Sequence, residues 1–65
     1  MNKFYKLLVL FSNDEEWSRT NLKKRIDENL IDEALKLKYI KISRINDIDE
    51  PIYIITKLGK KECNN

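Results

Sequence analysis

The apolar residues of this chain change their spacing once, near Tyr39. Before that point they recur at intervals of three and four residues, which is the period of an amphipathic helix. After it, in YIKISRI and IYIIT, they follow a period close to two and are mostly β-branched, which is typical of strands. This change predicts a helical first part followed by a β-hairpin, in a single α+β domain that spans residues 1–65.

The first part of the chain divides into short helices. Residues 3–12 form the first, with Asn2 as a candidate N-cap. Its apolar face consists of Phe4, Leu7, Leu8 and Phe11. After a polar break, Ser18 is a good N-cap for a second helix over residues 19–25, and Trp17 and Leu22 stand at the spacing of a hydrophobic staple.

A third helix is predicted over residues 28–38, with Asp27 as its N-cap. Its apolar stripe consists of Leu30, Ile31, Ala34, Leu35 and Leu37, and its solvent face of Asn29, Asp32, Glu33 and Lys36. The second and third helices are too short to be stable alone. We therefore expect both to pack on the first helix.

The strands of the hairpin are predicted at residues 39–45 and 52–56, joined by a loop of about five to six residues. Pro51 suits the start of the returning strand, where its missing N–H does least harm. Trp17 is a candidate for a short third strand.

Composition removes several classes of function. The chain has no histidine and only one cysteine, Cys63, so a single chain builds neither a zinc site nor a disulfide. Adjacent carboxylates such as Glu15 and Glu16 have no predicted cleft around them, and we expect no enzymatic activity, metal or cofactor. The apolar run LLVLF is too short for a signal peptide or a membrane span, which predicts a cytoplasmic protein.

The order of three helices and a hairpin resembles that of winged helix-turn-helix proteins. In LIDEALKLKYIKI, residues 30–42, the third helix ends in LKYI, which is similar to the L-G-Y-I found there in many winged-helix regulators. In YIITKLGKK, residues 53–61, the pattern Tyr-x-x-Thr-x-x-Gly-Lys resembles the Y-x-L-T-x-x-G at the end of the wing in regulators of the MarR and PadR types. The resemblance implies a DNA-binding protein whose third helix lies in the major groove.

The chain departs from this pattern in two places. Lys38 stands where these regulators usually have glycine, and a left-handed conformation there would cost on the order of 1 kcal/mol. In the same regulators the threonine at the position of Thr56 caps a following helix, but only six residues follow Gly59 here. We therefore expect the C-terminal helix, through which such regulators often dimerise, to be missing.

The resemblance also implies which residues would contact DNA. The base-facing residues would be Asn29, Asp32, Glu33 and Lys36. The phosphate-facing residues would be Arg19, Lys23, Lys24, Arg25, Lys41, Arg44, Lys57, Lys60 and Lys61. Asparagine can pair with adenine and a carboxylate can accept from cytosine N4, so these residue types are compatible with reading bases.

The acidic residues of the third helix and the hairpin loop do not favour DNA binding. Four of them open the third helix: Asp27, Glu28, Asp32 and Glu33. They oppose phosphate attraction, and a simpler explanation is that they favour the helix dipole while Asp32 pairs with Lys36 at i,i+4. The hairpin loop, residues 46–50, is also acidic, whereas wings that enter the minor groove usually offer Arg or Lys. We expect Ile48 in this loop to fold back on the domain, with a partner contact as the alternative.

Two functions therefore stay open. The first is binding of double-stranded DNA by a small transcriptional regulator, such as that of a phage or plasmid. The second is a protein interaction module, in which the acidic third helix and hairpin loop dock on a basic partner. The net charge of +2 is too small to decide between them, and a homodimer is compatible with both.

Overall fold

A computed structural model describes residues 2–64; Met1 and Asn65, the ends of the predicted domain, lie outside the described residues. The described chain is a small α+β domain with four α-helices and a three-stranded antiparallel sheet. The helices are α1 (Tyr5–Val9), α2 (Arg19–Lys23), α3 (Glu28–Lys36) and α4 (Lys57–Cys63), with a 3-10 turn at Ser12–Asp14. The strands are β1 (Trp17–Ser18), β2 (Ile40–Ile45) and β3 (Pro51–Ile55). The predicted α+β class is confirmed.

The first helix is shorter than predicted, although its predicted apolar face is correct. Phe4, Leu7, Leu8 and Phe11 are all buried. The Asn2 side chain accepts a hydrogen bond from the Phe4 N–H at 2.8 Å, one turn ahead of α1. α1 ends at Val9, and in the 3-10 turn that follows Asn13 and Asp14 have φ of 64° and 59°, a left-handed conformation through which a right-handed helix cannot continue.

Side-chain caps start α2 and α3 where they were predicted. The Ser18 hydroxyl accepts from the Asn21 N–H at 3.2 Å, and the Asp27 carboxylate accepts from the Asn29 N–H at 2.8 Å. Each helix ends two residues earlier than predicted. As a result Leu37 lies past the end of α3 and is 44% exposed, so its placement in the apolar stripe was wrong.

The sheet has β3 at its centre, in the order β1-β3-β2. Trp17 pairs with Tyr53 on β3, which confirms the predicted short third strand. The Trp17 indole N–H also donates to the Leu10 carbonyl at 2.7 Å, so β1 is attached to the end of the first helical segment. In β2, an edge strand, the register shifts between Ile42 and Arg44. Such a bulge discourages the pairing of further strands at an edge.

The expectation that the C-terminal helix is missing was wrong. The Thr56 hydroxyl caps α4 by accepting from the Gly59 N–H at 3.0 Å, and the Thr56 N–H donates to the Tyr39 carbonyl at 3.0 Å. At the other end of α4, the Asn2 side-chain amide donates to the Glu62 carboxylate at 2.6 Å. These contacts stabilise a seven-residue helix that would not form in isolation.

Lys38 ends α3 in the left-handed conformation, with φ of 66°. Its N–H donates to the Leu35 carbonyl at 3.1 Å and the Tyr39 N–H donates to the Ala34 carbonyl at 2.9 Å. This is the hydrogen-bond pattern of a Schellman motif, in which glycine is the preferred residue at the left-handed position.

The core lies between the helices and one face of the sheet. It contains Phe4, Leu7, Leu8, Phe11, Leu22, Ile26, Ile31, Ala34, Ile40, Tyr53 and Ile55. Tyr39 packs against this cluster with its ring 5.1 Å from that of Phe4, in an edge-to-face arrangement. Phe4, Phe11, Tyr39 and Tyr53 thus all contribute to the packing of the core.

Replacing Lys38 with glycine is expected to stabilise the domain. Glycine removes the cost of the left-handed conformation, about 1 kcal/mol, which in a domain of this size raises the melting temperature by about 4–8 °C. Circular dichroism melting curves measure the change. Lys36→Gly is the matched control: it places the same substitution inside α3 and should lower stability by about 1 kcal/mol. A Lys38→Gly protein no more stable than the parent would contradict the strain at this position.

Replacing Gly59 with alanine is expected to destabilise the domain, although alanine favours helices. The added methyl carbon would clash with the Tyr39 carbonyl oxygen and lie 2.8 Å from Cγ1 of Ile55. The oxygen belongs to the backbone that holds Thr56, so relief requires the separation of α4 from the end of α3. We expect a loss of about 3 kcal/mol in the free energy of unfolding by denaturant titration. Lys61→Ala, an exposed change in the same helix, should stay within about 0.5 kcal/mol.

Candidate nucleic-acid interface

The four residues predicted to face DNA bases do lie on one exposed side of α3. Asn29, Asp32 and Lys36 are exposed and Glu33 is half-buried, while Ile31 and Ala34 on the opposite side are fully buried. The spacing of i, i+3, i+4 and i+7 produces this common face.

Arg19 neutralises two of the acids on α3. Its guanidinium, at the start of α2, lies 2.8 Å from both the Glu28 and the Asp32 carboxylates. It also donates to the buried Tyr53 hydroxyl at 2.9 Å, which ties α2 and α3 to the central strand. The predicted Asp32–Lys36 pair is therefore replaced by an Asp32–Arg19 pair. Arg19, predicted to contact phosphate, is 24% exposed and serves to join elements of the fold.

These contacts shift the pKa values of Arg19 and Glu28. The Tyr53 hydroxyl, followed by Glu28 and Asp32, raises the pKa of Arg19 above its already high ordinary value. The hydrogen bond from Arg19, followed by the nearby charge of Lys23, lowers the pKa of Glu28. Lys23 Nζ is 3.6 Å from the Glu28 carboxylate. The second predicted phosphate contact is thus also engaged within the domain.

The remaining acids of α3 have partners of their own. Glu33 pairs with Lys3, from the segment before α1, at 2.7 Å. Asp27 uses its carboxylate to cap the helix. Each acid of α3 therefore contacts a basic group or a backbone N–H within the domain. This arrangement reduces the repulsion that the helix alone would present to a phosphate.

Two basic residues at the end of α2 extend this surface. Lys24 is exposed and pairs with no acidic side chain of residues 2–64, and Arg25 lies over the Trp17 ring at 5.6 Å from its centre. Together with Asn21 they line an open cleft in which the indole supplies an apolar wall. The sequence placed Trp17 in the hydrophobic staple and in a short third strand but did not reveal its contact with Arg25, which is a tertiary one.

The predicted phosphate contacts on the hairpin and α4 fall into two groups. Arg44 lies 3.2 Å from the Glu16 carboxylate and Lys60 lies 2.6 Å from that of Asp14, so loop acids engage both. The others, which form no ion pair with acids in the described part of the chain, are Lys41, Lys57 and Lys61.

The hairpin loop is ordered and exposes its isoleucine. The Asn46 side-chain oxygen accepts from the Ile48 N–H at 3.1 Å and the Glu50 N–H at 2.9 Å, and the Asn46 amide donates to the Glu50 carboxylate. The Glu50 carboxylate also accepts from the Thr20 hydroxyl on α2, which lowers the pKa of Glu50. Ile48 is nevertheless 77% exposed, so the expectation that it folds back on the domain was wrong.

Sequence analysis named the lysines that begin α4 but missed that they lie next to those that end α3. The Thr56 hydroxyl donates to the Lys38 carbonyl at 2.6 Å, which brings the lysines that end α3 next to those that begin α4. A signal was present in the sequence, because neither 34–46 nor 51–61 contains an acidic residue. The absence of acids in these two segments indicates a shared basic surface only because the contact through Thr56 brings the segments together.

Comparison of the chain with models of protein families, with curated proteins and with solved structures gave no match. Within residues 2–64, no helix has the length and apolar character that a membrane crossing requires. The function is therefore argued from the surface itself.

Acidification is expected to remove the contribution of the Arg19–Glu28 pair to stability. Because the folded protein lowers the pKa of Glu28, this contribution is present above the ordinary carboxylate pKa and is lost as pH falls through the lowered value. The parent should melt at a higher temperature than Glu28→Gln at about pH 6, and this difference should shrink as pH falls below the ordinary carboxylate pKa. Glu15→Gln, whose carboxylate contacts no basic side chain of the described residues, is the control. A constant difference between the parent and Glu28→Gln at all pH values would contradict the assignment.

Proposed function

We propose that the chain binds double-stranded DNA as a small winged-helix protein, with α2 and α3 as the helix-turn-helix and β2–β3 as the wing. The observation that carries the proposal is the neutralisation of the α3 acids within the domain, by Arg19 and Lys3 above all. It leaves Asn29 and Lys36 as exposed polar groups on a face whose net charge is close to zero.

The proposed contacts divide by role. Asn29 and Lys36 would face base edges, since an amide pairs with adenine and an ammonium group donates to guanine acceptors. Lys24, Arg25 and Lys41 would contact phosphates, which position a protein without reading sequence. Arg19 keeps α2 and α3 in register and makes no DNA contact in this proposal. So few phosphate contacts predict weak binding with a moderate dependence on salt.

We extend the proposal to a small cytoplasmic transcriptional regulator, such as one carried by a phage or plasmid. This extension rests on the resemblance of the segments around Lys38 and Thr56 to winged-helix regulators, and fold resemblance alone carries function only by analogy.

A second candidate function is favoured by the hairpin loop. Ile48 is the most exposed of the large apolar residues in the described chain, and the acidic side chains of Asp47, Asp49 and Glu50 surround it in sequence. Such a loop repels phosphate and suits a protein surface with a basic rim and an apolar centre. A protein interaction through the loop is compatible with DNA binding through α3.

DNA binding is tested by fluorescence anisotropy with a labelled random duplex at several salt concentrations. We expect log K to fall linearly with log salt, with a slope of about −3 that reflects three phosphate contacts. Lys24→Gln and Lys41→Gln should each make the slope less negative by about 1 and weaken binding at every sequence. Lys6→Gln, on α1, is the control with the same change in charge.

The outcomes separate the two candidate functions. Equal effects of Lys6→Gln and Lys24→Gln would mean that binding reflects overall charge, which would reject the α2–α3 surface. Absence of binding at about 20 mM salt, where counterion release is most favourable, would reject DNA as the ligand and leave the protein interaction module.

A further inference from the structure

The contact through Thr56 brings together two chain segments that each carry an exposed leucine and basic residues. Thr56 donates to the Lys38 carbonyl at 2.6 Å through its hydroxyl and to the Tyr39 carbonyl at 3.0 Å through its N–H. Leu37 directly precedes this contact on one side and Leu58 follows it by two residues on the other; they are 44% and 48% exposed. Two apolar side chains thus face solvent at the same end of the domain.

Lysines flank these leucines along the chain: Lys36 and Lys38 stand beside Leu37, and Lys57 stands beside Leu58. We call the surface formed by Lys36, Leu37, Lys38, Lys41, Lys57 and Leu58 the lysine junction. All four lysines are exposed, and none pairs with an acidic side chain of residues 2–64. A surface with an apolar centre and a uniformly positive rim suits a ligand with an apolar centre and a negative rim.

The hairpin loop of the same protein has that complementary character. Ile48 stands at its centre, flanked by Asp47 and Asp49. Asn46 holds the loop through hydrogen bonds to two of its backbone N–H groups, so Ile48 is presented by an ordered segment. An ordered loop loses less conformational entropy on docking than a mobile one.

A chain cannot place its own loop on its own junction. The junction lies at the Ile40 end of β2 and the loop follows Ile45 at the other end, and six residues of strand separate the two by roughly 17–20 Å. The two surfaces can therefore meet only between molecules.

We infer that the hairpin loop of one copy docks on the lysine junction of a second copy. The interface joins two different surfaces, so in a pair one copy keeps an unused junction, the other keeps an unused loop, and the assembly continues head to tail. The contact is small and its ion pairs are exposed, which predicts a dissociation constant of about 0.1–1 mM that rises with salt. Lys36 and Lys41 belong both to this junction and to the proposed DNA contacts, but self-association requires no DNA and is tested without it.

Sedimentation velocity of the full chain from about 10 µM to about 1 mM should show a mass that rises with concentration and falls again in high salt. A loop variant, Asp47→Lys with Ile48→Lys, and a junction variant, Lys57→Glu with Leu58→Glu, should each lose at least about tenfold in association constant. Ile42→Lys is the matched control, because it removes an exposed isoleucine of the hairpin outside the loop. Circular dichroism shows whether each variant is folded.

Mixing the two variants gives the sharpest test. The loop variant keeps a functional junction and the junction variant keeps a functional loop, so their equimolar mixture should form a heterodimer that grows no further. Failure of the mixture to associate would overturn the inference, as would a monomeric parent at about 1 mM. Loss of association in Ile42→Lys with retention in the loop variant would also overturn it, since that result assigns the interface to the edge of β2.

Discussion

The hydrogen bonds of Thr56 to the end of α3 organise the second half of this domain. The Thr56 N–H and hydroxyl bind the carbonyls of Tyr39 and Lys38, and the same hydroxyl caps α4. The approach is so close that only glycine fits at position 59, where any Cβ would meet the Tyr39 carbonyl. One threonine and one glycine thereby fix how the hairpin leaves α3 and how α4 returns to α1. The left-handed conformation of Lys38 is strained, but the turn that it forms directs the carbonyls of Lys38 and Tyr39 toward Thr56.

Arg19 has the corresponding role in the first half. A guanidinium offers several donors in one plane, so a single side chain can bind Tyr53 on the sheet and two carboxylates on α3. Removing its charge would leave Glu28 and Asp32 repelling each other and the Tyr53 hydroxyl without its donor. The acids of α3 that look unfavourable for a nucleic-acid surface thus contribute to the packing of α2 on α3.

The sequence signals that succeeded are local ones. Ser18 and Asp27 cap their helices within three residues, and the alternation of β-branched residues needs no distant partner to indicate strands. The signals that failed depend on tertiary contacts. Nothing near α4 in sequence reveals the Tyr39 carbonyl that stabilises it, and the i,i+4 rule paired Asp32 with Lys36 because Arg19 is 13 residues away. The periodicity of α3 correctly predicted that the four candidate base-facing residues share one face. It did not predict that Arg19 and Lys23 form ion pairs within the domain.

The ion pairs also determine how substitutions on α3 should be interpreted. A lysine in place of Asp32 would add a positive charge and also release Arg19 from one of its partners, and a lysine in place of Glu33 would release Lys3. Either change raises the positive potential of the surface in two ways, so increased DNA affinity would follow even if α3 never enters a groove. Lys36 has no ion-pair partner among residues 2–64, and Asn29 is uncharged. Replacing either one therefore releases no other charged side chain. Their substitution therefore reports on α3 itself, while substitutions of its acids report on the network that joins α3 to the rest of the domain.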